Sequence, residues 1–386
     1  MQKSVAILYA NLKGNIGDFA ILDAMLRETA RQYPGRRIDV YPHGFLDVDE
    51  ARLAAFRAAG APPFEIAGGT FHRPVPPKLK RLYRFGLWPW AQRRLIDTLR
   101  RESREEARRF APYEAIFLAG GDQWNGIDLG VSMFATLLAV AEHNPNVYHY
   151  PFSLNPAACT FNTASDLRHY FAAMQAPIVV RDGITHAVLS DVGIPTVLGH
   201  DTVFSLSDLG QQIAPLQDRD GERILLVLTG PHDRTLLFRT LGDMLARLKG
   251  CGRPIEMLTT CWIEDLQIYQ DLGREYGTEV RAPLTWQETI AELKQSAVVV
   301  TDRLHCLILG TFAECTLFPV GDRKKAEAFI NDTGTPHHVL GMEGVTPEAL
   351  EAAMADREAI LDKIRAYRDL ALERDTAPRL MPEADG

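Results

Sequence analysis

The sequence of 386 residues has few cysteines, no long apolar run and no excess of positive charge. Its five cysteines, Cys159, Cys251, Cys261, Cys306 and Cys315, are an odd number and include no C-x-x-C pair. That excludes a disulfide-stapled miniprotein, gives no zinc signature and points to reduced thiols in a cytosolic protein. The longest uncharged apolar-rich run, Leu129 to Ala141, is 13 residues, short for a membrane span of about 20. The opening M-Q-K-S-V-A-I-L-Y-A-N-L-K has a brief apolar stretch with no A-x-A-like site after it, so it reads as a first strand rather than a signal peptide. A formal net charge of −8 argues against general nucleic-acid binding. No G-x-G-x-x-G fingerprint opens the first β/α turn, which disfavours a dinucleotide oxidoreductase.

What is present is an ordinary globular balance, with 46% hydrophobic and 24% charged residues. The length suits two domains. Strand-like runs at Val5–Tyr9, Ile38–Tyr41, Ala115–Ala119, Asn146–Tyr150 and Pro177–Val180 alternate with helix-length segments. After the first run, Phe19, Leu22, Met25, Leu26, Ala30 and Tyr33 recur at helical spacing, with Asp18 as the expected N-cap and Pro34-Gly35 as the stop. Ser205 to Glu222 turns polar and reads as a linker, and the rhythm restarts at Ile224–Thr229, Ile255–Thr259, Ala297–Thr301 and Thr316–Val320. Residues 347–374 predict one long amphipathic helix, with Leu350, Met354, Leu361, Ile364 and Tyr367 on its apolar stripe. Alternating strands and helices imply parallel sheets covered on both faces. The expected fold is therefore α/β: two Rossmann-like domains facing across a cleft, glycosyltransferase-B-like, with the site at the carboxyl ends of the strands. The expected division is an N-terminal domain over 1–205, a C-terminal domain over 222–345, and a helix and tail over 346–386.

Charge is unevenly spread. Arg73 to Arg109 holds 12 Lys/Arg and 4 Asp/Glu, a local +8 against −16 for the rest. Tyr83, Phe85, Trp88 and Trp90 lie among these cations. Aromatics suit a membrane interface and basic residues are drawn to anionic headgroups. Two readings compete: docking at an anionic membrane surface through residues 73–109, or a solvated helical face with a buried aromatic loop.

Four segments could carry chemistry. N-L-K-G-N-I-G-D, Asn11 to Asp18, is a glycine-bearing turn at a helix start, where Asn15, Gly17 and Asp18 either approach an anion or merely form a capped turn. L-A-G-G-D-Q-W-N-G follows a strand and offers Gly120, Gly121, Asp122, Gln123 and Trp124. Asp122 is either a general acid or base at the cleft mouth or a helix cap, and Trp124 either stacks on a sugar or fills the core. In P-I-V-V-R-D, Arg181 can grip a carboxylate or phosphate, or pair with Asp182. Asp201, near the domain junction, touches ligand or holds shape. A-V-V-V-T-D-R-L-H-C ends a buried strand with Asp302, Arg303 and His305. If the chain stays extended there, Arg303 and His305 share a face, and a cation beside a histidine suits holding a phosphate while a proton moves.

In order, these segments resemble the polysaccharide pyruvyl transferase family. N-I-G-D at Asn15 to Asp18 is similar to its opening motif. G-G-D-Q-W-N resembles its G-S-D-Q-x-W-N form, one residue short before Trp124. Y-P-F-S-L-N-P, Tyr150 to Pro156, resembles the strand and loop that follow, and R-D-G-I-T resembles R-D-x-x-S with Thr185 in place of serine. R-L-H-C is similar to R-L-H-A, and Lys325 matches a lysine after the next strand. The resemblance runs from residue 5 to about 335. It implies transfer of pyruvate from phosphoenolpyruvate, the donor substrate, onto two hydroxyls of a sugar, giving a cyclic ketal and phosphate with no cofactor and no metal. The implied catalytic residues are His305, Asp122 and Arg303. Substrate contacts fall to Arg181, Lys325, Asn15, Gly17, Asp18, Gly120, Gly121, Gln123 and Trp124. The implied acceptor is a lipid-linked oligosaccharide or exopolysaccharide at the cytoplasmic face of the membrane. Two other functions compete: a glycosyltransferase with a nucleotide-sugar donor, and a non-catalytic sugar- or anion-binding protein.

Overall fold

The computed structural model describes residues 3–43, 48–69, 88–124, 126–154, 164–215, 221–229, 234–321 and 323–374. The N-terminal unit opens with β1 (Ser4–Ala10), α1 (Ile16–Gln32), β2 (Arg37–Pro42), α2 (Glu50–Ala58) and β3 (Glu65–Ile66). It continues through α3 (Trp88–Ala107), β4 (Ala115–Leu118), β5 (Gly121–Trp124), α4 (Gly126–Ala141), β6 (Val147–His149) and β7 (Phe152–Leu154). It closes with α5 (Ala164–Phe171), β8 (Ile178–Val180), α6 (Gly183–Asp191), β9 (Thr196–Leu198) and α7 (Ser207–Gln212). The C-terminal unit comprises β10 (Arg223–Val227), α8 (Arg234–Leu248), β11 (Ile255–Leu258), α9 (Trp262–Tyr276), β12 (Glu279–Arg281) and α10 (Trp286–Lys294). After it come β13 (Ser296–Thr301), α11 (Leu304–Ala313), β14 (Leu317–Pro319), α12 (Lys324–Thr333), α13 (Pro347–Ala355) and α14 (Arg357–Glu373).

Among the described residues the pairings between strands are parallel, as suits continuous apolar runs buried on both faces. The sheet orders are β3-β2-β1-β4-β6 and β12-β11-β10-β13-β14, with a further sheet β5-β7-β8-β9 continuing the first. In both main sheets the chain starts in the middle and switches direction beside that strand, so ligand-facing loops gather at the carboxyl ends. A register shift between Leu8 and Ala10, with Tyr9 at φ 65°, bends the end of β1 into the Asn11–Asp18 turn.

Among the described residues the units meet along a packed seam. Ile16 N donates to Thr260 O at 2.9 Å and Trp262 N to Gly14 O at 3.3 Å. Buried Trp286, on α10, donates its indole N–H to Asp23 of α1 at 2.9 Å. One apolar cluster runs through both units, from Val5 and Phe19 to Val299 and Ile364.

Three expectations change. The polar linker is partly structured: Ser207–Gln212 is helical, and a Cβ on Gly210 would lie 2.9 Å from Phe312 Cβ, so this segment packs closely on α11. The C-terminal helix is two helices joined at Asp356 (φ −96°, ψ 24°), whose carboxylate accepts from His337 at 2.8 Å. The break lets α13 cover β13 while α14 returns toward Phe204, against which Tyr367 packs edge-on. Finally, Asn15 rather than Asp18 caps α1, its side chain accepting from Gly17 N at 3.0 Å.

Candidate active site

The site is assembled from strand ends on both sides of the seam. From the N-terminal unit come the Asn11–Asp18 turn after β1, Arg181 directly after β8, and Asp201 after β9. From the C-terminal unit come Arg303 and His305, between β13 and α11. The two units touch where a side chain is missing: a Cβ built on Gly17 would sit 2.2 Å from His305 Nδ1. Gly17 is therefore required by the close approach of the imidazole.

Asp201 is the hub. Its carboxylate accepts from Arg181 Nη1 at 2.5 Å and from Val203 N at 3.0 Å, and lies 3.6 Å from His305 Nε2. Arg181 also donates Nε–H to Ser153 Oγ at 2.6 Å. Burial opposes ionisation of Asp201, but Arg181 and His305 outweigh it and hold the carboxyl well below the usual range. Asp18 behaves oppositely. Burial pushes it up to about 6, against the pull of His305, Lys325 and Arg181, while Asp201 adds to the rise. Asn11 Nδ2 donates to its Oδ2 at 2.6 Å. Two buried carboxyls displaced in opposite directions from their ordinary value thus both feel one histidine, a pattern that separates a proton carrier from a fixed anion.

Arg303 and His305 do not share a face. The strand ends at Thr301, Arg303 is the extended residue before α11, and His305 lies in the first helical turn. Arg303 turns to Asp265, with which it forms an ion pair, while His305 turns to Gly17 and Asp201. Thr301 fixes this joint, donating to Val227 O at 2.7 Å and accepting from Arg303 N at 3.1 Å. Asp302 is structural: buried, it accepts from Thr229 N at 2.8 Å and lies 3.5 Å from Arg323 Nε. Lys325 is exposed in the first turn of α12, with its charge felt at Asp18.

The alternative partner for Arg181 is excluded, because Asp182 caps α6 by accepting from Thr185 N at 2.7 Å. Gly120 and Gly121 are demanded by packing: a Cβ on Gly120 would be 2.7 Å from Pro151 O, and Gly121 has φ 98°. Asp122, Gln123 and Trp124 lie on β5; their side chains fall outside those described. Residues 70–87 of the basic segment also lie outside the described residues. In α3, Arg93 pairs with Asp166, and Arg100 and Arg104 pair with Glu142 at 2.5 and 2.6 Å. No described helix is long and apolar enough to cross a membrane.

Sequence reasoning missed Arg52, Asp265 and the role of Asp201. Arg52 is fully buried at the seam, 4.6 Å over the Trp262 ring, with Nε and Nη2 lacking hydrogen-bond partners. Nothing in a solitary arginine on an amphipathic helix signals this. Asp201 carried a signal, a polar G-H-D-T before an apolar pair at a domain junction, but its partners lie 20 and 104 positions away. Two open concavities, along Gln267–Thr278 and beside Leu53 and Phe64, are not lined by Gly17, Arg181, Asp201, Arg303 or His305.

Similarity in structure is broad. A UDP-GlcNAc 2-epimerase from Neisseria meningitidis, bound to UDP-GlcNAc, superposes with TM-score 0.57 at 12% identity, covering 97% of this chain and 99% of that one. Its counterpart from Rickettsia bellii gives 0.54 at 10%, covering 97% and 95%. The Methanocaldococcus jannaschii enzyme, in complex with UDP-GlcNAc and UDP, gives 0.52 at 10%, covering 96% and 100%. At such identities the likeness shows the fold, two Rossmann-like units of glycosyltransferase-B type. No curated protein matches the chain in sequence. The polysaccharide pyruvyl transferase family model matches residues 15–321, a span that includes the Gly17 turn, Arg181, Asp201 and the Arg303–His305 joint. By that match, over most of its length, the chain belongs to the polysaccharide pyruvyl transferase family.

Proposed function

We propose that the protein transfers pyruvate from phosphoenolpyruvate onto two hydroxyls of one sugar in an exopolysaccharide or lipid-linked oligosaccharide, forming a cyclic ketal and releasing phosphate. The observation that carries this reading is the meeting of two family motifs across the seam, Gly17 against His305, with the charges of Arg181 and Lys325 felt at the adjoining Asp18 and Arg303 two residues before the histidine. A donor with a carboxylate and a phosphate needs such clustered cations. Arg303 is held by Asp265 and Arg181 by Asp201 and Ser153, so both forks are oriented before a ligand arrives.

The chemistry follows from the groups present. A proton is delivered to the methylene carbon of the enol, leaving oxocarbenium character on the neighbouring carbon. One sugar hydroxyl attacks there and loses its proton; the carbon–oxygen bond to phosphate breaks; the second hydroxyl closes the ring. Of the two hydroxyl protons, one replaces the proton delivered to carbon and the other leaves with phosphate, so the balance needs no cofactor. His305 is assigned one proton transfer. The partner carboxyl is Asp122 or Asp18, and Asp18 has the better case because it faces His305 and is held near neutrality.

Thermal protection tests the donor. Phosphoenolpyruvate should raise the melting temperature and a UDP-sugar should not. The reverse would favour the nucleotide-sugar reading, which at present has only the fold behind it. Docking at an anionic membrane through residues 73–109 completes the proposal; because Arg93, Arg100 and Arg104 already pair with Asp166 and Glu142, flotation with Lys78, Lys80, Arg81 and Arg84 neutralised tests it first.

A further inference from the structure

His305 and Asp201 belong to different units, yet each is held as though for the other. Asp201 is 4% exposed, and its carboxylate is fixed by Val203 N at 3.0 Å and Arg181 Nη1 at 2.5 Å, the arginine being pinned in turn by Ser153 at 2.6 Å. His305 has one face against Gly17, where no side chain fits. Its Nε2 is out of solvent with no hydrogen-bond partner, and it faces Asp201 Oδ2 at 3.6 Å. An unpaired buried ring nitrogen is costly. A separation a few tenths of an ångström beyond bonding distance is typical of a site before substrate draws it together.

We propose that Asp201 is the positioning residue for His305. Its carboxylate accepts the Nε2–H hydrogen bond when substrate is bound, leaving Nδ1, beside Gly17, as the nitrogen that exchanges the proton. Asp201 itself stays an anion because Arg181 is locked onto it. Since the carboxylate stands on one unit and the imidazole on the other, the proton-transfer group is built from both units. The inference deepens the pyruvyl-transfer reading and rests on it for the use made of the proton; the tautomer does not depend on that reading.

The test is nitrogen NMR of the imidazole rings in the full chain at alkaline pH, with and without phosphoenolpyruvate, His305 being assigned by the resonance lost in His305→Gln. The expected result is the Nε2-protonated tautomer in the unsubstituted protein and loss of that bias in Asp201→Asn. Turnover in Asp201→Asn should fall by about a hundredfold or more, as when a histidine loses its orienting carboxylate, while Asp201→Glu recovers part of it. An Nδ1-protonated ring in the unsubstituted protein, or turnover within twofold in Asp201→Asn, overturns the assignment. If Asp201→Asn does not fold, Asp201→Glu, which keeps an anion for Arg181 but moves it relative to His305, is read in its place, and an unchanged His305 nitrogen spectrum with full turnover overturns the assignment. If no acceptor elicits turnover while the Nε2 tautomer is found, the positioning role stands and the reaction assignment is what fails.

Discussion

Replacing Asp18 by asparagine should make the protein more stable at neutral pH and less active. The Asp18 carboxyl is moved from 3.8 to about 6 because burial outweighs the attraction of His305, Lys325 and Arg181. Between those two values the folded protein binds more protons at this site than the unfolded chain does. Stability from this group therefore falls as pH rises from about 4 to 6, and the full cost persists above 6. About two units at about 1.4 kcal/mol each give about 3 kcal/mol. Part of the side chain remains in contact with solvent, so roughly 1–3 kcal/mol is the expected range. Asparagine keeps an oxygen for the Asn11 bond and removes the ionisation. Urea unfolding of both proteins from pH 4 to 8 reads the difference: Asp18→Asn should lead at pH 7.5, with the gap closing by pH 4. A gap independent of pH, or a less stable variant at pH 7.5, would refute the electrostatic argument.

Other consequences follow from the seam. Gly17→Ala puts a methyl 2.2 Å from His305 Nδ1, so turnover should fall at least tenfold with a smaller change in melting temperature; unchanged turnover would mean that the imidazole is not held there. Trp286→Phe strips buried Asp23 of its indole donor, leaving Arg27 as its partner among the described residues, and should cost about 1–3 kcal/mol in chemical unfolding. Arg52→Met replaces a buried cation, two of whose nitrogens make no hydrogen bond and whose ion pair with Asp49 is long at 3.6 Å, by an apolar chain of similar length. It should be neutral or stabilising in the same assay, and a loss above about 2 kcal/mol would show that its long contact to Thr260 O and its stacking on Trp262 matter more.

The sheets were legible because parallel strands buried on both faces are apolar throughout: Ile224 to Val227 and Val298 to Val300 are fully or almost fully buried. What escaped was local geometry set by tertiary contact. Asn15 and Asp18 are both good capping residues, and only the backbone decides between them. The apolar stripe from Leu350 to Tyr367 continues in sequence past the bend at Asp356, because both helices bury apolar residues, Leu350 in one and Leu361 and Ile364 in the other. A polar composition hid the helix at Ser207, whose glycine serves close packing on Phe312. The site residues His305, Arg181 and Gly17 could be singled out from strand ends and motif order. That Arg303 faces Asp265 while His305 faces Asp201 could not, because it depends on the single residue where β13 gives way to α11.

The central claim is a reaction, and phosphate release from phosphoenolpyruvate measures it most directly. With a panel of lipid-linked and free glycan acceptors, the unsubstituted protein should release phosphate only when a suitable acceptor is present, and His305→Ala should lose orders of magnitude while remaining folded. Release that ignores the acceptor, or a His305→Ala variant with near-normal turnover, would contradict the account.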